Sequence, residues 1–449
     1  MSLKVKSLKT DFIRFVVPTI FTIWIYHFYI IADGIFVSRG VSQIGLGAVN
    51  IAHPYTNVLF SIGVLIAVGT STITAIYMGR KETKYANAIF TQSIIVLGVI
   101  GLVITMAVML NLDYIASFLG AKDETFHMVR EYIRGIAPFS TSLILSYYLE
   151  VLIKTDGYPY KAMIIVAIGC GINCVLDYLF IFIFNLGVWG AAFATGLSQT
   201  LIVTLYLCHF IFGKSGFRLT KFKTDFNLLG RVALIGVPEG ITELCTGLTV
   251  FMFNRVIISF LGEGAIVYYT VSAYVSTLVI MTMVAIAHGI QPLVSFYLGR
   301  GDLDKCKKLL KYGFAVSGTI SFIAFLGTNL LANQIVGAFF DDPTSKEFLA
   351  SVYVFRKFSL SFLFVGISVV ISGFLTAMGQ PRGAFIISLG RGFALPVGVL
   401  MALAYATGGS GIWWAQAIAE LVCVVIAVAL LAGEKKHFGK LKLGNMVKK

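Results

Sequence analysis

Charge is scarce in this chain. Only 12% of its 449 residues are Asp, Glu, Lys or Arg, where a soluble domain carries about 25%. With 58% apolar residues gathered into repeated runs of 20 or more, this excludes a water-soluble globule and implies a polytopic α-helical membrane protein. The runs are continuous rather than alternating, which excludes a transmembrane β-barrel. Catalytic motifs are also missing. There is no G-x-x-x-x-G-K-[ST], hence no ATP drive within the chain, and no H-E-x-x-H. The expectation is a protein that is not an enzyme and has no cofactor. Cysteines number six and give no disulfide framework. Cys170 and Cys174 lie one helical turn apart, but no third or fourth ligand is near, so they read as small core residues. A cleavable signal is lacking too. The basic start "MSLKVKSLKTDFIR" runs into a full-length span, which reads as retained.

What charge exists is unevenly placed. A net charge of +14 first suggests nucleic acid or a membrane surface. The apolar runs form twelve spans, centred near residues 25, 62, 98, 142, 172, 200, 245, 280, 320, 366, 394 and 422. One alternate set of loops, with both ends of the chain, holds 26 Lys and Arg, and the other set holds 4. That bias puts both termini and the long central loop in the cytoplasm of a multi-pass cell-membrane protein. The basic balance therefore records topology. The bilayer is the implied partner, and nucleic acid is not.

The two halves echo each other. Pro18 matches Pro238, "YMGR" (77–80) matches "YLGR" (297–300), and Arg134 matches Arg356. "GYP" (157–159) matches "GQP" (379–381), and "GVWGA" (187–191) matches "GIWWA" (411–415). The offset stays between 220 and 224, so the chain reads as an internal duplication. The domains are a six-helix lobe over 1–212, a linker loop over 213–230, a second six-helix lobe over 231–433 and a basic tail over 434–449. An even number of spans per repeat inserts both lobes in one orientation, related by a pseudo-two-fold along the membrane normal. Parallel repeats of this kind suit a transporter with its path between the lobes.

Asp33, in "YIIADGIFVS" (29–38), needs explaining, because a carboxylate in hydrocarbon costs at least about 2.5–3.5 kcal/mol. Counting helical rise from the nearest interfacial residues places Asp33, Asp177 and Thr195 in the outer third of a core roughly 30 Å thick. Asn173 is one turn from Asp177 on the same face. Two carboxylates, an amide oxygen and a hydroxyl at one depth form a hard-oxygen set that can hold a proton or Na⁺. For Asp33 alone, a helix-end carboxylate reaching outer water is the competing reading.

Several motifs together carry a family resemblance: Pro18 followed by Asp33, "GLGAVNIAHP" (45–54), "GRKE" (79–82), "NCVLD" (173–177) and "GVWGAAFATG" (187–196). With them the chain resembles the multidrug and toxic compound extrusion (MATE) family over essentially its whole length. "GVPEGITELCTG" (236–247) with "FN" (253–254) resembles the MepA-like branch. The resemblance implies a secondary antiporter that exports small organic, often cationic and amphipathic compounds in exchange for H⁺ or Na⁺. In the archaeal and DinF-like branches, N-lobe aspartates with an Asn and a Thr form the cation site, and Asp33, Asn173, Asp177 and Thr195 match that pattern. The motion implied is a rocking of lobes with the first helix bending near Pro18, in a protein working as a monomer.

Weaker candidates follow. Glu243, near the midplane of the seventh span, can attract cationic substrates, take part in coupling, or serve as a structural carboxylate. Glu239, one turn earlier, reads as lobe-facing or as a helix-end group. The tenth span lacks Asp and Glu between Val352 and Ala377, which argues against a NorM-type ion site there. Glu420 and Arg391 read as a pair. Glu150 and Lys154, four apart at a cytoplasmic helix end, read as structural. His27, His53 and His288 read equally as satisfied core residues or proton carriers. Some of the 37 Phe, 20 Tyr and 4 Trp should stack on planar cations. The alternative function is a flippase of lipid-linked oligosaccharide or polyisoprenoid. Such proteins usually have fourteen helices and a cluster of intramembrane arginines, which this chain lacks.

Overall fold

The computed structural model describes residues 7–222, 225–340, 342 and 344–438. Among them are twelve helices long and apolar enough to cross a bilayer. They are α1 (Leu8–Gly40), α2 (Gln43–Gly79), α3 (Thr83–Leu110), α4 (Asp123–Thr155), α5 (Pro159–Ile183) and α6 (Gly187–Phe212), then α7 (Phe226–Leu261), α8 (Ile266–Gly299), α9 (Leu303–Leu330), α10 (Lys346–Ala377), α11 (Pro381–Thr407) and α12 (Ile412–Gly433). No strand occurs among the described residues. The fold class is therefore all-α and integral to the membrane. Polar caps start several of these helices and satisfy amides that the helix itself cannot. Ser7 accepts from the Thr10 amide at 3.2 Å, Ser42 from Gly45 at 2.9 Å and Ser345 from Phe348 at 3.2 Å.

The chain divides into two compact units, residues 1–236 and 237–449. The cut falls inside α7, between Gly236 and Val237, so loop 213–230 lies within the first unit. In the first unit α2 and α4 are the most buried helices; in the second, α8 and α10 are. Helix α3 instead exposes Ile95, Val99, Leu102, Val103 and Met106, an apolar stripe suited to lipid.

Within the first unit α2 packs closely against the start of α7. A Cβ on Gly69 would lie 1.8 Å from the Val232 carbonyl oxygen, and a Cβ on Gly236 would lie 1.7 Å from that of Leu65. Only residues without a side chain allow this packing.

The duplication is visible in local chemistry. Thr22 donates its hydroxyl hydrogen to the Pro18 carbonyl at 2.8 Å, and Thr242 does the same to Pro238 at 2.9 Å. The turn after α2 and the turn after α8 share one hydrogen-bond pattern: Glu82 N to Tyr77 O at 2.9 Å, and Asp302 N to Tyr297 O at 3.0 Å. At the left-handed position of these turns stand Lys81 (φ 65°) and Gly301 (φ 76°). A Cβ there costs roughly 1 kcal/mol, which glycine avoids. Lys81→Gly is therefore expected to raise the thermal midpoint of the purified protein slightly. Gly301→Lys should lower it, and a scan of both variants in one detergent would check this.

Candidate functional site

The site in the first unit is built from three helices, each offering one face. On α1, Tyr26, Tyr29 and Asp33 are spaced by three and four residues. On α5, Cys170, Asn173 and Asp177 repeat that spacing, and on α6 Thr195 and Gln199 lie one turn apart. Residues so spaced line one side of a helix. The structure brings Asp33, Asn173, Asp177 and Thr195 together.

Asp177 is fully buried and ends the α-helical part of α5. A π turn over Tyr178–Ile183 follows it, a local geometry that recurs at functional positions in helices. The Asn173 side chain satisfies both its ends in one orientation only. Its NH₂ then donates to Asp177 Oδ2 at 2.8 Å, and its oxygen accepts from the Thr195 amide at 3.2 Å. The Tyr29 and Thr195 hydroxyls are 3.2 Å apart. Asp33 and Asp177 stand within hydrogen-bonding reach of each other, and Tyr132 of α4 faces both. Oδ1 of each aspartate is buried without a hydrogen-bond partner among the described residues.

The balance of charge decides what this arrangement can do. No Lys, Arg or His is among the neighbours just named. Two carboxylates this close in low dielectric repel, so they must share a proton or gather a cation. The unpartnered oxygens supply the acceptors for either.

Pro18 lies fifteen residues before Asp33 on α1, which runs through it without a break. Proline removes the amide that would bond to the Arg14 carbonyl. Thr19 and Thr22, both just after it, turn their hydroxyls onto the Phe15 and Pro18 carbonyls, each at 2.8 Å. Back-bonding of this kind favours bending.

The second unit holds a cavity of about 120 Å³. Three carboxylates line it, Glu239 and Glu243 of α7 and Glu420 of α12, with Arg391 of α11. Tyr269 and Phe358 add aromatic surface to the wall. Glu239 is not a plain helix-end group: it lies 3.6 Å from His288 Nε2 and accepts from Gln291 at 3.3 Å.

The structure corrects one further expectation. Among the described residues no ion pair joins Glu420 to Arg391. Glu420 instead accepts from Ser368 at 3.3 Å and from Gln416 at 3.4 Å. A π turn over Gly390–Ala394 carries Arg391, which lines the same cavity as Glu420 without forming an ion pair with it. The Glu150–Lys154 pair is present as expected, at 2.6 Å in the last turns of α4, and both side chains are buried. Tyr29 and Tyr132 were not foreseen at the aspartate pair. The one available signal was the four-residue step from Tyr29 to Asp33.

A duplicated twelve-helix membrane bundle, with an intramembrane carboxylate pair in one unit and an acidic cavity in the other, defines a membrane transporter. The MatE family model matches residues 18–179 and again 240–403. The chain belongs to the MatE family, whose members are membrane transporters and not enzymes. The paired match also places one copy of the family module in each half.

Among curated relatives, the chain is 25% identical to the multidrug export protein MepA of Staphylococcus aureus (strain N315) over 390 residues, 86% of this chain and 85% of that one. It is 26% identical to MepA of Staphylococcus haemolyticus over 388 residues, with the same coverage of both. Among solved structures, it resembles an outward-facing multidrug resistance MATE family transporter with a TM-score of 0.88 and 22% identity, covering 97% of each chain. A superfamily transporter from Pyrococcus furiosus gives 0.88 and 21%, again over 97% of each chain. These likenesses speak for the fold.

Proposed function

We propose that the chain is a secondary antiporter that exports organic, often cationic and amphipathic compounds in exchange for H⁺ or Na⁺. It works as a monomer in the cell membrane with both termini in the cytoplasm. The names of the MepA relatives support the substrate class. The observation that carries the coupling is the Asp33–Asp177 pair, each member with a buried oxygen that has no hydrogen-bond partner among the described residues. A cation taken by this pair, with Asn173 and Thr195 as further oxygen ligands or as orienting groups, relieves the repulsion between the carboxylates. Release restores it. Because Asp33 rides on α1 beyond Pro18, that change in local force is delivered to a helix already weakened at one point. The lobes over 1–212 and 231–433 then exchange access, with 213–230 as the linker and 434–449 as the tail.

The test is efflux of a fluorescent organic cation from proteoliposomes, with proton and Na⁺ gradients imposed separately. Efflux driven by neither gradient would sink the antiport reading.

Glu243 has a separate role in this proposal, as the cavity carboxylate that attracts cationic substrates. Glu243→Gln is expected to weaken transport of cations more than that of neutral compounds of similar size, since only the former lose a charge attraction. An equal loss for both would assign Glu243 to coupling or structure. The measurement is the ratio of apparent KM values for a matched cationic and neutral pair.

A further inference from the structure

The aspartate pair leaves a second buried carboxylate of the first unit unused. Glu150 is 3% exposed. Its Oε1 accepts from Lys154 Nζ at 2.6 Å, while its Oε2 is buried with no hydrogen bond of ordinary geometry among the described residues and is approached by the Tyr26 hydroxyl. The groups facing it from the packed helices are Tyr26 of α1, Cys170 of α5 and Tyr206 of α6.

These positions are not scattered. Tyr26 is seven residues before Asp33, and Cys170 is seven before Asp177. Seven residues are two turns, about 10 Å, on the same helix face. Glu150 therefore sits two turns inward of the aspartate pair, between the same two helices. On α6 the matching face runs from Thr195 through Gln199 to Tyr206. Gln199 Oε1 is also buried and unpartnered. Three residues beyond Tyr206 comes His209, whose Nε2 lies 3.1 Å from Asp156 Oδ2 and whose Nδ1 lies 3.0 Å from Lys161 Nζ. Asp156 and His209 are buried, and Lys161 reaches the surface. Exchangeable groups thus line one side of the unit from the aspartates to its 156–161 end.

We infer that Glu150 is an inner proton station, filled from the Asp33–Asp177 pair and emptied through Lys154 toward the Asp156–His209–Lys161 cluster. This rests on the antiport reading and names its coupling ion as H⁺. The step balances. A proton arriving at Glu150 Oε2 neutralises the carboxylate and leaves the Lys154 ammonium without its counter-ion. Lys154 then gives up one proton toward the 156–161 end. Transfer from Glu150 to the neutral amine restores the carboxylate–ammonium pair, so one proton enters and one leaves. A purely structural ion pair needs no free buried oxygen and no aligned hydroxyls and thiol on three other helices.

The test uses the full chain in proteoliposomes. Glu150→Gln is paired with the double substitution Glu150→Gln/Lys154→Met, which removes both charges and leaves no lone buried ion. Two rates are read with ethidium as probe: efflux driven by a pH gradient, and ethidium–ethidium exchange without any gradient. A pH dye in the lumen reports proton movement. Both variants are expected to lower gradient-driven efflux and its proton movement roughly tenfold or more, as loss of a positioned proton-transfer group does. Exchange should stay close to that of the unsubstituted protein.

Gradient-driven efflux at the unsubstituted rate would overturn the station. So would a parallel loss of both rates, which a structural role gives. If the unsubstituted protein runs only on Na⁺, the proton station fails while antiport stands. If it runs on neither gradient, the antiport reading itself fails.

Discussion

Asp33→Asn and Asp177→Asn should each yield inserted, folded protein that no longer drives efflux from an ion gradient. The reason lies in how the pair is built. Each aspartate contributes one carboxyl oxygen that has no hydrogen-bond partner among the described residues. Replacing either carboxylate by an amide removes a negative charge and turns one acceptor into a donor. A charged hydrogen-bond contact is worth about 2–3 kcal/mol, so cation affinity should fall roughly 30- to 150-fold. Coupling would then be lost at ordinary ion concentrations. The fold should survive, because the amide relieves the repulsion between two buried carboxylates rather than adding to it.

The Asn173 side chain makes the Asp177 case stricter. Its NH₂ donates to Asp177 Oδ2, a contact that an Asn at 177 keeps only if its own oxygen faces Asn173. The double substitution should be little worse than either single one, since both residues serve one ion. Efflux in proteoliposomes under imposed gradients measures all three. Wild-type efflux from either single variant would show that the two aspartates do not share a site.

The second large effect concerns packing. Gly236→Ala and Gly69→Ala should each lower the thermal stability of the purified protein sharply. The added Cβ would lie 1.7 Å from the Leu65 carbonyl oxygen in one case and 1.8 Å from that of Val232 in the other. Both obstacles are helix backbone, which cannot swing aside as a side chain can. Overpacking costs about 1–3 kcal/mol, occasionally more, and these contacts should lie at or above the upper end. Gly98→Ala is the control. It stands in a helix of the same unit with nothing within 4 Å of its added Cβ, so it should be neutral or mildly stabilising. Equal midpoints for Gly236→Ala and Gly98→Ala would mean that α2 and the start of α7 do not pack so closely.

Some of this was legible in the residues alone, and the reasons differ from case to case. The twelve helices follow from apolar runs, because a bilayer allows little else. Asp33, Asn173, Asp177 and Thr195 could be gathered at one depth because helical rise converts residue number into ångströms. Tyr29 and Tyr132 could not. Among so many aromatic residues, nothing local separates a hydroxyl that faces an aspartate from one that faces lipid.

Glu150 and Lys154 show a different limit. An (i, i+4) pair looks the same on an exposed helix as on a buried one. Its environment comes from Tyr26, Cys170 and Tyr206, which lie on three other helices. For Glu420, opposite charges on neighbouring spans suggested Arg391. Its hydrogen-bond partners are instead Gln416, one turn away on its own helix, and Ser368.

The position of the unit boundary inside α7 bears on how the chain is made. A ribosome delivers residues in order, and domains made first generally fold first. The first six spans can enter the membrane early. Their compact unit, however, runs to Gly236, and it includes the contact of Gly236 on Leu65. That unit cannot complete its packing until the opening turns of the seventh span have been synthesised. The first unit is therefore finished only once the seventh span has begun to emerge, and the second unit starts at Val237 within that same span.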